Sequence, residues 1–336
     1  MKLRKLLFPF SILYDGVTSL RNLAYTKGWK ESRSYPIPVI SVGNLSVGGT
    51  GKSPMVEYLI DFLYEDFEVA VLSRGYKRKS SGFLEVQVDS TAEEVGDEPL
   101  QFKQNFPKVT VAVCADRRTG IEQLIGKAEV ILLDDAFQHR KVKPSFSILL
   151  TPFDDLFMND LILPAGNLRE SKRGASRADV VVITKCPEGV AYSKLQEIQY
   201  DMELEFPQKT FFSKIGYGVE IHGVTESLPL EYLLDKSFTL VTGIANPKPL
   251  VEFLERKEMK FKHEKFPDHH HFSDSEISTL RNHEIILTTE KDYMRLRPKL
   301  EKFALYYLPI KTVILNDQDE VFKKTVLEAV QNFKRI

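Results

Sequence analysis

The sequence predicts an α/β protein: a doubly wound, mostly parallel sheet, a second, smaller α/β domain and an N-terminal amphipathic helix. Short apolar runs rich in Val, Ile and Leu alternate with helical patterns from residue 37 onward. Because these runs are apolar throughout, they indicate strands buried on both faces of a parallel sheet. The sequence pattern changes near residue 210, and residues 1–25 have an apolar stripe of helical period.

The predicted strands of the larger domain follow one another at short intervals. The first, residues 37–43, leads into a glycine-rich loop and a helical segment over 54–63. Alternation of strand and helix on this scale is typical of a sheet with helices on both sides. Further strands are expected at 69–75, 109–116, 128–136, 146–151 and 178–185.

Two extended segments, 211–223 and 304–315, are expected to bracket a smaller unit. Inside it, residues 238–257 and 284–296 each have the pattern of a strand followed by a helix. We therefore predict four regions: an N-terminal helix over 1–30, a core over 31–212, a smaller lid domain with a two-strand linker over 213–312, and a terminal strand and helix over 313–336.

Charge and cysteine content narrow the class of protein. Lys and Arg number 46 against 47 Asp and Glu, a net charge of −1. Nucleic-acid-binding proteins usually have a basic excess, so the composition gives no support to that class. The two cysteines, Cys114 and Cys186, lie in apolar stretches. Their number excludes a disulfide framework, and we expect both to be reduced and buried.

The N-terminal segment begins with Lys2, Arg4 and Lys5 and then turns apolar. Its apolar run, residues 6–14, is shorter than the roughly 20 residues that a membrane-spanning helix needs. No small-residue cleavage site follows it, which disfavours a signal peptide. Two alternatives stay open: the stripe packs on the protein's own core, or it lies in a membrane interface with the basic residues facing anionic lipid. The stripe consists of Leu3, Leu6, Leu7, Phe10, Leu13, Tyr14, Val17, Leu20 and Ala24.

Residues 46–53, SVGGTGKS, stand between the first predicted strand and a helix, the context that a phosphate-binding P-loop requires. Glycines let backbone N–H groups converge on phosphate oxygens, and the helix N-terminus adds partial positive charge. Lys52 is expected to reach the β- and γ-phosphates, and the Ser53 hydroxyl to bind Mg²⁺. Ser46 stands where the strict pattern has Gly. The predicted nucleotide contacts are Val47, Gly48, Gly49, Thr50, Gly51, Lys52, Ser53 and Pro54.

The loop alone leaves a kinase, a hydrolase and a switch protein open. Guanine-specific P-loop proteins have [NT]KxD after a late strand, whereas residues 184–187 are TKCP, with Pro187 in place of the Asp. This difference favours ATP over GTP. Asp134 and Asp135 end the strand VILLDD, the position where a carboxylate holds Mg²⁺ in this class of site.

A series of motifs in the chain resembles the lipid A 4'-kinase (tetraacyldisaccharide 4'-kinase) family. In order they are VGNLSVGGTGKSP, LSRGY, GDEP, ADR, LLDDAFQHR, LPAGNLRE, TGIANP, FPDHHHF and TTEKDYMRL, and they span residues 39–297. The resemblance implies ATP- and Mg²⁺-dependent phosphorylation of the 4'-hydroxyl of a tetraacylated glucosamine disaccharide 1-phosphate in lipid A biosynthesis. It also implies a peripheral enzyme with this glycolipid as its partner, at the cytoplasmic face of the inner membrane of a Gram-negative bacterium.

The resemblance also implies catalytic roles. Asp97, in the GDEP turn, is expected to activate the sugar hydroxyl, and His269 to orient or polarise Asp97 from the second domain. From the residues alone, the Asp268–His271 cluster leaves a zinc site or an ordinary His-rich loop open, although adjacent histidines rarely converge on one ion.

A substrate with a phosphate group is expected to meet cationic side chains beyond the carboxyl ends of the strands. Further candidates for these cationic side chains are Arg117, Arg118 and Arg173. The predicted substrate-binding residues are Arg74, Tyr76, Glu98, Asn167, Arg169 and Glu170.

A different class of function stays open as the alternative: a membrane-associated P-loop ATPase switch without a phosphate acceptor. It would share the loop, Asp134 and the N-terminal stripe, but would not need the GDEP turn or the FPDHHHF loop. A soluble small-molecule kinase is a further alternative, and it leaves the stripe unexplained. The sequence gives no indication of oligomeric state.

Overall fold

The computed structural model describes residues 3–268 and 270–333. Within them the chain forms two sheets with helices packed around both. The strands are β1 Val39–Asn44, β2 Val69–Ser73, β3 Leu84–Glu85, β4 Thr110–Val113, β5 Val130–Asp134, β6 Phe146–Pro152, β7 Val180–Thr184, β8 Lys209–Tyr217, β9 Glu220–His222, β10 Ser227–Pro229, β11 Ser237–Thr242, β12 Lys260–Lys265, β13 Ile286–Thr289, β14 Leu305–Leu308 and β15 Ile310–Ile314.

A short 3₁₀ segment, Leu3–Leu7, precedes the first α-helix. The α-helices are α1 Phe8–Thr26, α2 Lys52–Leu63, α3 Ala92–Val95, α4 Asp97–Asn105, α5 Arg117–Leu124, α6 Tyr192–Asp201, α7 Lys248–Arg256, α8 Asp274–Leu280, α9 Glu290–Leu300 and α10 Asp319–Gln331.

The larger sheet has the strand order β15-β8-β7-β6-β1-β5-β2-β4-β3. From β8 to β4 every neighbouring pair is parallel, and the edge strands β15 and β3 are antiparallel. Every residue of β1, β2, β5 and β7 is buried, as expected for strands covered on both faces. The predicted doubly wound, mostly parallel sheet is therefore confirmed. Cys114 and Cys186 are free and buried in its two flanking cores.

The smaller sheet has the order β10-β9-β14-β13-β11-β12. Its four strands from β14 to β12 are parallel, and the short β9 and β10 add antiparallel pairs at one edge. Separate hydrophobic cores on its two faces show that it is a packed α/β layer of its own.

The two linking strands, β8 and β15, pair with each other in the larger sheet, with Ile310 opposite Tyr217. The predicted boundaries at 212/213 and 312/313 fall inside these strands. The division into four regions therefore stays a prediction, although the smaller sheet lies wholly between β8 and β15 along the chain. Helix α9 of the smaller unit meets α4 of the larger one through side-chain contacts.

Helix α1 lies on the larger unit through its polar side chains. Ser11 and Thr18 are its buried residues, and the Ser11 hydroxyl donates to the Ile162 carbonyl over 2.9 Å. Asn22 contacts Glu170, and Arg21 donates to the Gln138 carbonyl. Apolar side chains of α1 and of the preceding 3₁₀ segment instead face solvent: Leu6, Leu13 and Val17 are 75%, 70% and 69% exposed. In the described part of the chain, no helix has the length and apolar character needed to cross a membrane.

Candidate active site

The phosphate loop occupies the turn between β1 and α2, in the middle of the larger sheet. Gly48 and Gly51 have φ angles of +116° and +86°, in the left-handed region that glycine adopts without a Cβ clash. Gly51 is the N-cap of α2, so the loop residues lead directly to a free helix N-terminus. The backbone N–H of Val47 donates to the Asn167 carbonyl over 2.8 Å, which fixes the start of the loop on the segment 161–170.

Lysines surround this loop. The Lys52 amine lies 3.7 Å from Asp135 Oδ1 and 3.4 Å from Asn44 Oδ1, so it is held over the loop by two oxygens. Lys185, which sequence analysis did not select, donates to the Gly49 carbonyl. Burial, together with the charges of Lys291 and Lys52, lowers the pKa of Lys185. These amines make the surroundings of the loop positively charged, which suits the binding of a polyphosphate.

Three oxygen-bearing side chains, those of Ser53, Glu98 and Asp134, stand beside the loop. The Ser53 hydroxyl donates to Glu98 Oε1 over 2.8 Å. Asp134 ends β5; Ser73 donates to its Oδ2, and its Oδ1 is buried without a hydrogen-bond partner within residues 3–268 and 270–333. Burial, together with Glu98 and Asp135, raises the pKa of Asp134 to about 7.

These groups fit Mg²⁺, which binds oxygen ligands and combines one or two carboxylates with phosphate oxygens and water. An unpartnered buried carboxylate oxygen is costly, and a cation at that point would relieve both the desolvation and the repulsion between the carboxylates. Ser53 and Asp134 are the predicted ligands. Glu98, predicted to contact substrate, is placed by the structure in the same group.

Asp135, also predicted as a metal ligand, turns away from the strand end. Its φ is +46°, and its carboxylate pairs with Arg169 at 3.2 Å and with Lys52. It therefore links the phosphate loop to the LPAGNLRE segment through two cations.

The predicted base, Asp97, begins α4 immediately before Glu98. Its Oδ2 accepts a hydrogen bond from Arg295 Nε over 3.1 Å and a second from the same guanidinium. Arg295 Nη1 also lies 3.2 Å from the buried Asp292. The first turn of α4 thus presents two neighbouring carboxylates: Asp97 contacts α9, and Glu98 contacts both Ser53 and α9.

The predicted substrate residues are in two different situations. Arg74 and Tyr76 are exposed beyond the carboxyl end of β2, where a large acceptor can reach them. Glu170 is buried, and its two oxygens contact Arg177, Gln138 and Asn22.

Asn167 accepts a hydrogen bond from Arg4 over 2.9 Å. Of the further arginines, Arg117 is buried and donates to the carbonyls of Cys114 and Asp134, and Arg118 pairs with Asp116. Arg173 is exposed, in a 3₁₀ turn after Glu170.

The FPDHHHF segment connects β12 to α8. His269 lies outside the described residues, so its predicted contact with Asp97 stays a prediction. Its neighbour His270 lies 3.0 Å from Glu276 and stacks on Phe266. Within the described residues, no group of three or more His, Cys, Asp or Glu side chains could hold a metal ion by itself.

Two described residues of the smaller unit reach this site without having been predicted to do so. Lys291 in α9 lies 2.6 Å from Glu98 Oε1, and Arg295 contacts Asp97. Both stand in the motif TTEKDYMRL, whose charged residues at spacing i and i+4 were the available signal, because that spacing places them on one helix face.

Known proteins share this arrangement of sequence and fold. The profile of the tetraacyldisaccharide-1-P 4'-kinase family matches residues 3–331. A tetraacyldisaccharide 4'-kinase from Flavobacterium johnsoniae is 50% identical, with 98% of each chain covered. One from Bacteroides thetaiotaomicron is 42% identical, with 100% of this chain and 95% of that protein covered.

A solved structure extends the comparison to three dimensions. The crystal structure of LpxK from Aquifex aeolicus in complex with ATP is 35% identical and covers 98% of this chain and 99% of its own, with a TM-score of 0.81. The likeness therefore extends over nearly the whole chain. From the profile, the relatives and the shared fold, the chain belongs to the tetraacyldisaccharide 4'-kinase family.

Proposed function

We propose how this chain performs the family's reaction, the ATP-dependent phosphorylation of the 4'-hydroxyl of a tetraacylated glucosamine disaccharide 1-phosphate. The observation that carries the proposal is the contact between Glu98 and Ser53 at 2.8 Å. This contact fixes the first turn of α4 beside the phosphate loop. Asp97, the preceding residue, is then at the mouth of the site where an acceptor hydroxyl would approach the nucleotide.

The loop residues have the role of holding the nucleotide. Backbone N–H groups of residues 47–53 and the Lys52 ammonium neutralise phosphate charge, and Pro54 begins the buried face of α2. Ser53, Glu98 and Asp134 would hold Mg²⁺, which neutralises charge on the phosphates when it is bound. Asp135 keeps Lys52 and Arg169 in place between nucleotide and acceptor.

Asp97 acts as the general base. Its carboxylate takes the proton of the 4'-hydroxyl as that oxygen forms a bond to the γ-phosphorus, and the bond between the γ-phosphorus and the bridging oxygen of ADP breaks. His269 is proposed to orient this carboxylate, as predicted from the family resemblance. Arg295 contacts the same carboxylate from α9.

Arg74, Tyr76 and Arg169 are proposed to contact the acceptor, since they lie at the carboxyl-end side of the larger sheet. The contacts of Asn167 with Arg4, and of Glu170 with Asn22 and Arg177, support a different role for these two residues. They position α1 and the wall of the site on which the acceptor rests.

The glycolipid acceptor is embedded in a membrane by its acyl chains, so the enzyme must work at that surface. We propose peripheral association with the cytoplasmic face of the inner membrane through α1. The outward-facing Leu6, Leu13 and Val17 support this proposal, because an exposed apolar patch of this size is typical of an interaction site. Their exposure favours the lipid-facing alternative over packing on the protein's own core.

A transfer assay with γ-labelled ATP and the disaccharide 1-phosphate tests the proposal. The wild type should label the lipid, and Lys52→Ala should abolish labelling while the melting temperature stays unchanged. A P-loop switch would hydrolyse ATP equally well without the acceptor. Acceptor-independent turnover, or more than a few per cent of activity in Lys52→Ala, would contradict the assigned site.

A further inference from the structure

Helix α9 brings a lysine from the smaller unit to the phosphate loop. Lys291 stands 193 residues from Glu98 in sequence, yet its amine lies 2.6 Å from Glu98 Oε1. The same oxygen accepts the Ser53 hydroxyl at 2.8 Å. The Lys291 ammonium and the Ser53 hydroxyl therefore contact the same oxygen of Glu98, and Ser53 is one of the residues that we assign to Mg²⁺.

The surroundings of Lys291 are strongly charged. The Glu98 carboxylate contacts its ammonium directly, and the carboxylates of Asp134 and Asp97 stand close enough to interact with its charge. The amine thus acts as the counter-ion of the carboxylates that we assign to the metal.

An Mg²⁺ ion and the Lys291 ammonium cannot both contact the same Glu98 oxygen without a large cost in free energy. If Glu98 and Ser53 hold Mg²⁺, repulsion disfavours an ammonium on the same carboxylate oxygen. A partly buried ammonium that loses its carboxylate needs another anion, because an unpaired buried charge is costly. Of the other carboxylates near Lys291, Asp134 is assigned to Mg²⁺ and Asp97 is paired with Arg295, so the triphosphate is the anion that gains most from this ammonium.

We propose that Lys291, a residue of the smaller unit, is a catalytic residue. When the Mg²⁺–nucleotide binds, its amine leaves Glu98 and contacts the terminal phosphate of ATP. The inference rests on the proposed function and goes beyond it. A cation at that point would stabilise charge on the phosphoryl group during transfer, and would make a productive site depend on α9 being in place.

Discrimination between ATP and ADP tests this contact. We would measure Kd by calorimetry for Mg²⁺ with a non-hydrolysable ATP analogue and with ADP, in the wild type and in Lys291→Met. The variant should bind the ATP analogue roughly tenfold more weakly and ADP within about twofold, and kcat should fall by roughly 10²–10³. Lys291→Arg should recover part of both. Lys302→Met, an exposed position just beyond α9, is the control and should change neither.

A chemical-labelling experiment on the wild type tests the proposal even if Lys291→Met does not fold. An acyl-phosphate derivative of ATP transfers its acyl group to a lysine amine near the terminal phosphate, forming an amide and releasing ATP and a proton. Mass spectrometry of the labelled protein should find acyl groups on Lys52 and Lys291. Labelling of Lys52 without Lys291, or equal weakening of ATP analogue and ADP in Lys291→Met, would overturn the proposal.

These readouts are independent of the acceptor. If the wild type fails to phosphorylate the glycolipid, the proposed function fails, and the two nucleotide affinities still report on Lys291. If transfer occurs and Lys291→Met keeps full discrimination and full kcat, only the role of Lys291 is wrong.

Discussion

Arg295 in α9 donates from Nε to Asp97 Oδ2 over 3.1 Å, although the two residues are 198 positions apart in sequence. The guanidinium also contacts Asp292, which is fully buried. A carboxylate held on one side by a fixed guanidinium has a defined orientation, which a proton acceptor needs. A residue of the smaller unit therefore helps to orient the predicted base.

Removing the Asp97 carboxylate tests its role as base. Asp97→Asn keeps the size of the side chain, and we expect kcat to fall by roughly 10²–10⁴ with little change in KM for ATP. Steady-state kinetics with the lipid acceptor measures both constants. Asp89→Asn, an exposed aspartate outside the site, should leave them unchanged. A kcat within threefold of wild type would assign the base to another residue.

Removing Arg295 should affect the same step by a different cause. We expect Arg295→Ala to lower kcat about tenfold through lost orientation, and to destabilise the protein by about 1–3 kcal/mol because Asp292 loses a partner. The Asp97→Asn, Arg295→Ala double variant should lose less than the sum of the single losses, since the two side chains act as a unit. Steady-state kinetics measures the losses of kcat, and denaturant unfolding measures stability. Additive losses of kcat would show that the two residues act independently.

The sequence predicted the centre of the fold well because its signals are local. Continuous apolar runs marked the buried strands, and the glycine loop with its helix was expected at 46–63, where β1 leads into α2 at Lys52. In contrast, the contacts of Glu98 and Asp97 with α9 join residues almost 200 positions apart. No local pattern encodes such a pairing, and the same holds for the contact of Glu98 with Ser53, 45 positions away.

The N-terminal helix shows a second limit. A helical stripe of apolar residues has the same period whether it faces a core or a membrane. The deciding contacts are polar and distant: Ser11 with Ile162, Arg21 with Gln138 and Asn22 with Glu170. Only the folded chain shows that these polar residues make the inner face.

Two buried glutamates where the units meet predict a dependence of stability on pH. Gln101 donates to both Glu57 in α2 and Glu290 in α9, at 2.9 and 3.0 Å, and Asn105 also donates to both. Burial and neighbouring Glu290 raise the pKa of Glu57 to about 8, and burial raises that of Glu290 to about 7, although Lys291 opposes both shifts.

The raised pKa values give the direction of the effect. In the unfolded chain a glutamate releases its proton near pH 4.5, whereas folded Glu57 keeps it to about pH 8. The contribution of Glu57 to the free energy of unfolding is complete below pH 4.5 and is lost as the pH rises through 8. Between pH 6.5 and 8.5 we expect Tm to fall by a few degrees in the wild type and less in Glu57→Gln. The exposed Glu65→Gln is the control, and equal slopes in all three proteins would contradict the raised pKa of Glu57.

The exposed apolar side chains of α1 and of the 3₁₀ segment before it can be changed without altering a buried residue. Leu6, Leu13, Val17 and Leu20 are all more than 60% exposed, so their replacement by Ser leaves the polar attachments of the helix in place. Buried in a bilayer interface, such side chains contribute at most about 0.8 kcal/mol per CH₂. The basic residue Arg4 binds carbonyls of the core, so apolar contact is the larger expected contribution.

We expect the quadruple Ser variant to bind vesicles of anionic phospholipid at least tenfold more weakly than the wild type in a sedimentation assay. Its activity on vesicle-embedded acceptor should fall in parallel, whereas activity on a short-chain acceptor dispersed in detergent should stay within about threefold. Tyr200→Ser with Val219→Ser, which removes equally exposed apolar side chains elsewhere, is the matched control and should sediment like the wild type. Because the altered residues are exposed, Tm should not change. Unfolding of the variant would show that the stripe stabilises the protein itself, and unchanged sedimentation would place the membrane contact on another surface.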